Sequence, residues 1–268
     1  GGRGRPKNSS DVRAVYDARA LYLFWNLRDV NMAGVKTGVA EPPGGGNMRA
    51  QIDYANTDLV ELFLAPGRSL TTYYQLMASP LGTRYDSFIR PGGMHIRDFT
   101  PDWQVVSGRI PGGWTLEMRI PFAELAHPGM LAGTPAVGAA WGANFCRNRV
   151  ADWAEWTQWS PTERGFHDPK NFGTLTFRGR RGGAPTPSVA AASAGPLSFG
   201  PGEMLLTVAG TEAPAAACDS FLDGKPAGRC AAAVSGGTVR IPYRFTQAGR
   251  HRLSVTLSAG GAVFYTGQ

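Results

Sequence analysis

The chain has 268 residues, of which 36 are glycine, 20 are proline and only 18% are charged, and this composition favours a turn-rich β protein over a helical bundle. Six of the seven net positive charges come from residues 1–10 and 178–181, so the remaining chain is nearly neutral. A basic face that could bind a nucleic-acid backbone is therefore not expected.

The first ten residues are predicted to be a basic, flexible segment, and residues 11–179 are predicted to form one β domain. Eight segments of this domain are predicted to be strands, because they alternate in hydrophobicity or are rich in β-branched and aromatic residues: VRAVYD, ALYLFWNL, DLVELFLA, YYQLMAS, WQVVSGRI, WTLEMRIP, WGANFCRNR and GTLTFRG. The segment PFAELAHPG predicts no more than a short helical turn. Many strands without regular helices predict an all-β fold, here an antiparallel β-sandwich.

Residues 180–200 are rich in glycine, alanine and proline, and this composition predicts a linker. Beyond the linker, four segments predict strands: EMLLTVAG, TVRIPYRF, HRLSVTL and AVFYTG. Residues 201–268 are therefore predicted to form a second, smaller, immunoglobulin-like β domain.

The three cysteines divide into a pair and a single residue. Cys218 and Cys230 are close enough in sequence for a disulfide that closes a short loop, whereas Cys146 has no neighbour and is predicted to be a buried thiol. An oxidised pair would indicate a periplasmic or extracellular protein. No CxxC…CxxC or HExxH spacing predicts a zinc site, and every apolar run is shorter than a membrane span.

Polar residues interrupt the apolar pattern of several predicted strands. Side chains alternate between the two faces of a strand, so Glu61 shares a face with Leu59 and Phe63, and Gln75 shares a face with Met77. A carboxylate within a strand needs a partner or solvent. Two interpretations remain open, namely an ordinary solvent face or Glu–Arg network, and a cleft whose polar groups bind ligand hydroxyls.

The stretch DWAEWTQWSP places Trp153, Trp156 and Trp159 three residues apart, shortly after Arg147 and Asn148. An indole ring is a flat apolar surface on which a sugar ring can stack, while guanidinium and amide groups are fixed hydrogen-bond partners for hydroxyls. The pattern favours a glycan site, with Trp153 and Trp156 nearer to the ligand than Trp159.

The ordered blocks of the first domain resemble family 9 carbohydrate-binding modules and their DOMON-like relatives. The blocks that carry the resemblance are VRAVYDARALYLFW, DLVELFLAP, YYQLMASPLGTRYD, GWTLEMRIPFAEL, WGANFCRNR, WTQWSP and FHDPKNFGTLTF. The resemblance covers residues 11 to about 178. It implies a secreted, non-catalytic β-sandwich that holds a sugar between two aromatic side chains and polar groups, and that often binds calcium.

Carried over to this sequence, the resemblance assigns the sugar-bonding glutamate to Glu61, polar positions to Arg147 and Asn148, and the late aromatic surface to Trp153 or Trp156. It places the earlier aromatic surface at Tyr54, where a tyrosine departs from the family pattern. With Gln75 from the strand-face argument, the predicted carbohydrate-binding residues are Tyr54, Glu61, Gln75, Arg147, Asn148, Trp153 and Trp156.

We therefore predict a protein that is secreted, periplasmic or on the cell surface and that binds a polysaccharide or another glycan without catalysis. An alternative is a structural subunit of a surface or extracellular complex, in which the tryptophans contact other subunits. Haem binding through Met77, Met94, His95 or His167 is not favoured, because isolated matches of this kind arise readily by chance. No GxSxG motif is present, and an enzyme is not expected.

Overall fold

The computed structural model describes residues 5–40, 53–96, 99–125, 133–163, 165–179, 188–194, 200–209, 216–232, 237–249, 251–259 and 262–267. Within these ranges every regular element is a β-strand or a short 3-10 turn, which confirms the predicted all-β class. No helix in the described part of the chain is long and apolar enough to cross a membrane. The chain divides into two compact units, the first formed by residues 1–15, 21–120 and 140–176, and the second by residues 16–20, 121–139 and 177–268.

The first unit contains two antiparallel sheets. Its strands are, in chain order, β1 Ser10–Tyr16, β2 Ala20–Arg28, β3 Leu59–Ala65, β4 Tyr73–Ala78, β5 Arg84–Arg90, β6 Met94–Ile96, β7 Gln104–Ile110, β8 Gly113–Pro121, β9 Ala140–Arg149, β10 Glu155–Gln158 and β11 Gly173–Thr176. The four-stranded sheet has the order β1-β2-β8-β7, and the seven-stranded sheet has the order β10-β9-β3-β4-β5-β6, with β11 also paired to β9. The predicted antiparallel sandwich is confirmed.

Burial along the strands follows from the alternation of the sequence. In β2 the residues Leu21, Leu23, Trp25 and Leu27 are buried and the residues between them are partly exposed, so this strand has one apolar face. Strands β3 and β4 are instead buried on both faces, as expected for central strands of a sheet that is covered on both sides. One of these faces belongs to the sandwich interior, and the other carries Glu61.

The start of the chain corrects one prediction. Lys7 and Asn8 donate backbone and side-chain hydrogen bonds to the carboxylate of Glu155, and Asn8 is buried. The predicted flexible segment is therefore wrong for residues 7–10, since Asn8 anchors the chain just before β1 begins at Ser10. Residues 1–4 lie outside the described ranges.

The second unit also consists of two sheets. Its strands are β12 Ser188–Ala194, β13 Gly200–Ala209, β14 Ala216–Leu222, β15 Lys225–Ala232, β16 Thr238–Phe245, β17 Leu253–Ala259 and β18 Ala262–Gly267. The sheet orders are β12-β13-β16 and β15-β14-β17-β18, and residues of both sheets form one apolar core. The predicted linker 180–200 is wrong for residues 188–194, because backbone pairing with β13 makes a strand of this small-residue segment. The immunoglobulin-like assignment remains a prediction.

The predicted disulfide now has a defined place in the fold. Cys218 is buried on β14 and lies directly opposite Cys230 on β15. The side chain of Cys230 is not among those that the structure describes. Directly opposed residues of an antiparallel pair have Cα atoms about 4.5–5.5 Å apart, within the range of disulfides. The described side chains contain no disulfide, so the bond stays a prediction, whereas Cys146 is a buried thiol as predicted.

Thiol titration tests this bond. After export to an oxidising compartment and unfolding without reductant, we expect one reactive thiol, that of Cys146, and three after reduction. A Cys146→Ala variant should then show no thiol until reductant is added. Three thiols in the unreduced, unfolded protein would contradict the pairing of Cys218 with Cys230.

Candidate functional site

One face of the seven-stranded sheet carries a polar cluster centred on Glu61. In the antiparallel register Glu61 on β3 lies opposite Cys146 on β9 and Met77 on β4. Its carboxylate accepts a hydrogen bond from Gln75 Nε2 at 2.8 Å and a second from Asn148 Nδ2. Amides from the two neighbouring strands thus hold the carboxylate from both sides.

The environment of Glu61 is costly for a charged group. Glu61 is only 5% exposed, and this burial raises the pKa of its carboxyl to about 7, although the bonds from Gln75 and Asn148 act in the opposite direction. Burial and the nearby Glu61 charge also raise the pKa of the Cys146 thiol. Both hydrogen-bond partners of Glu61 are neutral. A buried carboxylate with a strongly raised pKa marks a candidate functional site.

Two exposed aromatic side chains border the carboxylate. Trp156 on β10 lies opposite Asn148 and is 73% exposed. On the other side, the hydroxyl of Tyr54, which is 45% exposed, donates to Met77 Sδ at 3.5 Å. Because Met77 and Asn148 lie on strands that flank β3, the two rings stand on opposite sides of Glu61.

The other two tryptophans of the cluster do not belong to this face. The Trp153 ring lies 4.2 Å from the Arg149 guanidinium and 5.1 Å from Lys7 Nζ, and its side chain is partly buried. Trp159 packs edge-on against Phe145, with ring centroids 5.4 Å apart. The Trp153 ring thus covers a buried cation. The structure does not bring it together with Glu61, and sugar binding by Trp153 stays a prediction.

Arg147 also lies on the opposite face. It is 2% exposed, its Nη2 is 2.8 Å from Asp29 Oδ2, and its Nη1 donates to the carbonyl oxygen of Arg28. Neighbouring residues of a strand point to opposite faces, so Arg147 and Asn148 cannot both face Glu61. The structure therefore does not bring Arg147 together with Glu61. This separation follows from the alternation of side chains along the strand, which the sequence already shows.

The structure brings together Tyr54, Glu61, Gln75, Asn148 and Trp156 of the predicted residues. Two histidines that the sequence argument considered only as haem ligands, His95 on the edge strand β6 and His167, lie next to each other, with ring centroids 5.4 Å apart. No group of three or more His, Cys, Asp or Glu side chains that could hold a metal ion occurs among the described residues. Bound calcium accordingly stays a prediction without assigned ligands.

The chemistry of the assembled group is that of a binding surface. The carboxylate accepts hydrogen bonds, the amides both donate and accept them, and the two rings offer apolar faces. Such a set suits a ligand that has hydroxyl groups around a weakly polar ring.

Comparisons with known proteins identify the family and the fold of the first unit. Residues 4–180 match the family model described as carbohydrate family 9 binding domain-like. A crystal structure of a candidate carbohydrate-binding protein from Bacteroides uniformis is similar in fold, with 20% identity, a TM-score of 0.51 and coverage of 65% of this chain and 80% of that chain. No curated protein matches the chain.

Two structures of a family 9 carbohydrate-binding module from Caldicellulosiruptor kristjanssonii are also similar. The one with cellotriose has 16% identity and a TM-score of 0.46, and covers 66% of this chain and 79% of that chain. The one with glucose has 15% identity and a TM-score of 0.43, and covers 66% of this chain and 81% of that chain.

Proposed function

The chain belongs to the carbohydrate family 9 binding domain-like family, and from this membership we propose that it binds a glycan without catalysis on the sheet face that carries Glu61. The observation that carries the proposal is the exposed indole of Trp156 beside the Asn148–Glu61 hydrogen bond. A large exposed aromatic ring next to a buried polar group is an arrangement that packing alone does not require.

The proposed contacts follow from the chemistry of a sugar. One apolar face of the ring stacks on Trp156, and Tyr54 borders the ligand from the other side. Hydroxyl groups donate to the Glu61 carboxylate and exchange hydrogen bonds with the Asn148 amide. Hydrogen bonds to a carboxylate are stronger than those to a neutral oxygen, so Glu61 contributes most of the polar binding energy.

Hydrolysis of the bound glycan is not part of the proposal. Glycosidases of the common kind place two carboxyl groups on either side of the scissile bond. At Glu61 the side chains that flank the carboxylate are the amides of Gln75 and Asn148. The nearby carboxylate of Asp58 accepts backbone hydrogen bonds from Lys36 and Val150, which gives it a structural role.

We also propose that the protein works outside the cytoplasm, where polysaccharides are accessible. Family membership supports this location, and a disulfide between Cys218 and Cys230 would be able to form there. Both units would then be exported together, with the first binding the glycan.

Replacing Trp156 with alanine tests the site. We expect glycan affinity to fall about 10-fold, because loss of ring stacking removes about 1 to 1.5 kcal/mol of binding energy. Isothermal titration with neutral oligosaccharides, chosen from a glycan array of the wild type, measures the effect.

Trp159→Ala is the matched control, because Trp159 is also exposed but packs against Phe145 on the opposite face. It should bind like the wild type once circular dichroism shows that it is folded. Equal affinities for Trp156→Ala and the wild type would place the site elsewhere. Absence of all glycan binding by the wild type would refute the proposed function.

A further inference from the structure

The outer face of the four-stranded sheet carries a groove that the Glu61 site does not use. In β2 the buried side chains alternate with Tyr22 and Phe24, which are partly exposed, and in β8 they alternate with Glu117 and Arg119. Successive side chains of a strand point to opposite faces, so these four lie on the outside of the sandwich. With residues of β1 and β7 they line a groove of about 380 Å³, the outer groove.

Side chains of the two edge strands complete the outer groove. Arg13 and Val15 come from β1, and Gln104 and Val106 come from β7. Both valines are exposed, so the groove is open to solvent on either side of its central strands. Its volume lies within the range of small-molecule sites, about 300–1,000 Å³.

The charges at the outer groove balance. Arg13 is 3.4 Å from Asp11, which lies two residues away on β1 and therefore on the same face. Glu117 and Arg119 are likewise two residues apart on β8. Since two cations meet two anions, a strongly charged ligand gains no net attraction here. Each guanidinium and carboxylate still offers several hydrogen-bond donors or acceptors to a neutral ligand.

Two aromatic rings lie at the centre of this face. Tyr22 and Phe24 belong to β2, which pairs with β1 on one side and with β8 on the other. Their rings are therefore flanked by the charged side chains of both neighbouring strands. Apolar ring surface beside guanidinium, carboxylate and amide groups is the combination that binds the C–H faces and the hydroxyls of a sugar.

We propose that the outer groove is a second glycan-binding site, which takes a segment of a neutral oligosaccharide. The choice of a glycan as ligand rests on the proposed function, whereas the residues of this site are separate from Glu61. The outer groove and the Glu61 face belong to different sheets of one sandwich and lie on its opposite sides. The first unit then binds two polysaccharide chains at once and cross-links them.

Calorimetric titration with neutral hexasaccharides from cellulose, xylan and mannan tests the second site. We expect two sites per chain in the wild type. In Phe24→Ala, binding at one of them should weaken about 10-fold through the loss of ring stacking. Arg119→Ala should weaken the same site about 5-fold through the loss of charged hydrogen bonds, and it leaves the aromatic rings in place.

Arg109→Ala is the matched control for Arg119→Ala. Arg109 is also an arginine of this sheet and is exposed, but it lies opposite the buried Trp114 and so points away from the outer groove. It should bind both hexasaccharides like the wild type. Circular dichroism establishes that each variant is folded.

Light scattering with a soluble polysaccharide of the type that binds measures the cross-linking. The wild type should raise the scattering of the polysaccharide, because each chain of the protein joins two polymer molecules. Trp156→Ala and Phe24→Ala each disable one of the two sites, so either variant alone should abolish the increase.

The outcomes separate the outer groove from the Glu61 site. A single site per chain that is lost in Trp156→Ala and unchanged in Phe24→Ala would overturn the second site and leave the Glu61 site intact. A single site lost only in Phe24→Ala would support the outer groove and refute the Glu61 site. If the wild type binds no glycan and is a dimer that Phe24→Ala dissociates, the groove is a contact between two copies of the chain, and both proposals are overturned.

Discussion

Replacing Asp29 with alanine is expected to lower the free energy of unfolding by about 3–5 kcal/mol. The Asp29 carboxylate is buried in the sandwich, where it lies 2.8 Å from Arg147 Nη2 and 2.8 Å from Arg149 Nε. Its removal leaves two buried guanidinium groups without this counterion. Burial lowers the pKa of Arg147, the direction expected for a cation that has lost its contact with water. Urea denaturation followed by circular dichroism measures the effect.

Two variants control for this prediction. Asp29→Asn keeps the volume and one acceptor oxygen, and should be destabilised less than Asp29→Ala. Asp11→Ala removes a carboxylate from the exposed ion pair with Arg13, and should leave stability almost unchanged because solvent screens such pairs. A small effect of Asp29→Ala, similar to that of Asp11→Ala, would mean that the two arginines find other partners.

The fold could be predicted where the alternation of side chains extends over a whole strand. Strands β2 and β8 show it over nine residues each, and both were predicted from the sequence. Strands β6 and β10 have only three and four residues, too few for a period to be recognised. Each forms by pairing with the edge of a longer strand, β6 with β5 and β10 with β9. The sequence alone does not show which strands lie next to these segments in the sheet.

The structure brings together only some of the predicted site residues, and the separation of the others has a physical cause. Proximity in sequence suggested that Arg147, Asn148 and Trp153 act together, but a strand separates neighbours onto opposite faces. The partner of Arg147 is Asp29, which lies 118 residues away in sequence. His95 and His167 meet only because β6 and a later segment pack on one face, and no local pattern predicts that contact.

Replacing Glu61 with glutamine is expected to stabilise the protein at high pH. The folded-state pKa of Glu61 is raised from its ordinary value of 4.5 to about 7, so the stability linked to its protonation is present below pH 4.5 and lost as pH rises through 7. Glutamine does not titrate. The variant should therefore gain stability relative to the wild type between pH 4.5 and pH 8, by up to about 3 kcal/mol. Urea denaturation at several pH values measures this difference.

The same substitution should weaken glycan binding. At pH 8 the wild-type carboxylate accepts hydrogen bonds from sugar hydroxyls as a charged group, and glutamine replaces it with a neutral one. We expect affinity to fall about 10-fold at pH 8, and the wild-type affinity to approach that of the variant as pH falls below 7 and Glu61 takes up a proton. A stabilised variant with unchanged affinity would show that the buried carboxylate does not contact the glycan. A loss of both stability and affinity would instead mean that Glu61 mainly supports the sheet. If the variant gains stability and loses affinity, the destabilising charge of Glu61 is explained by its use in ligand binding.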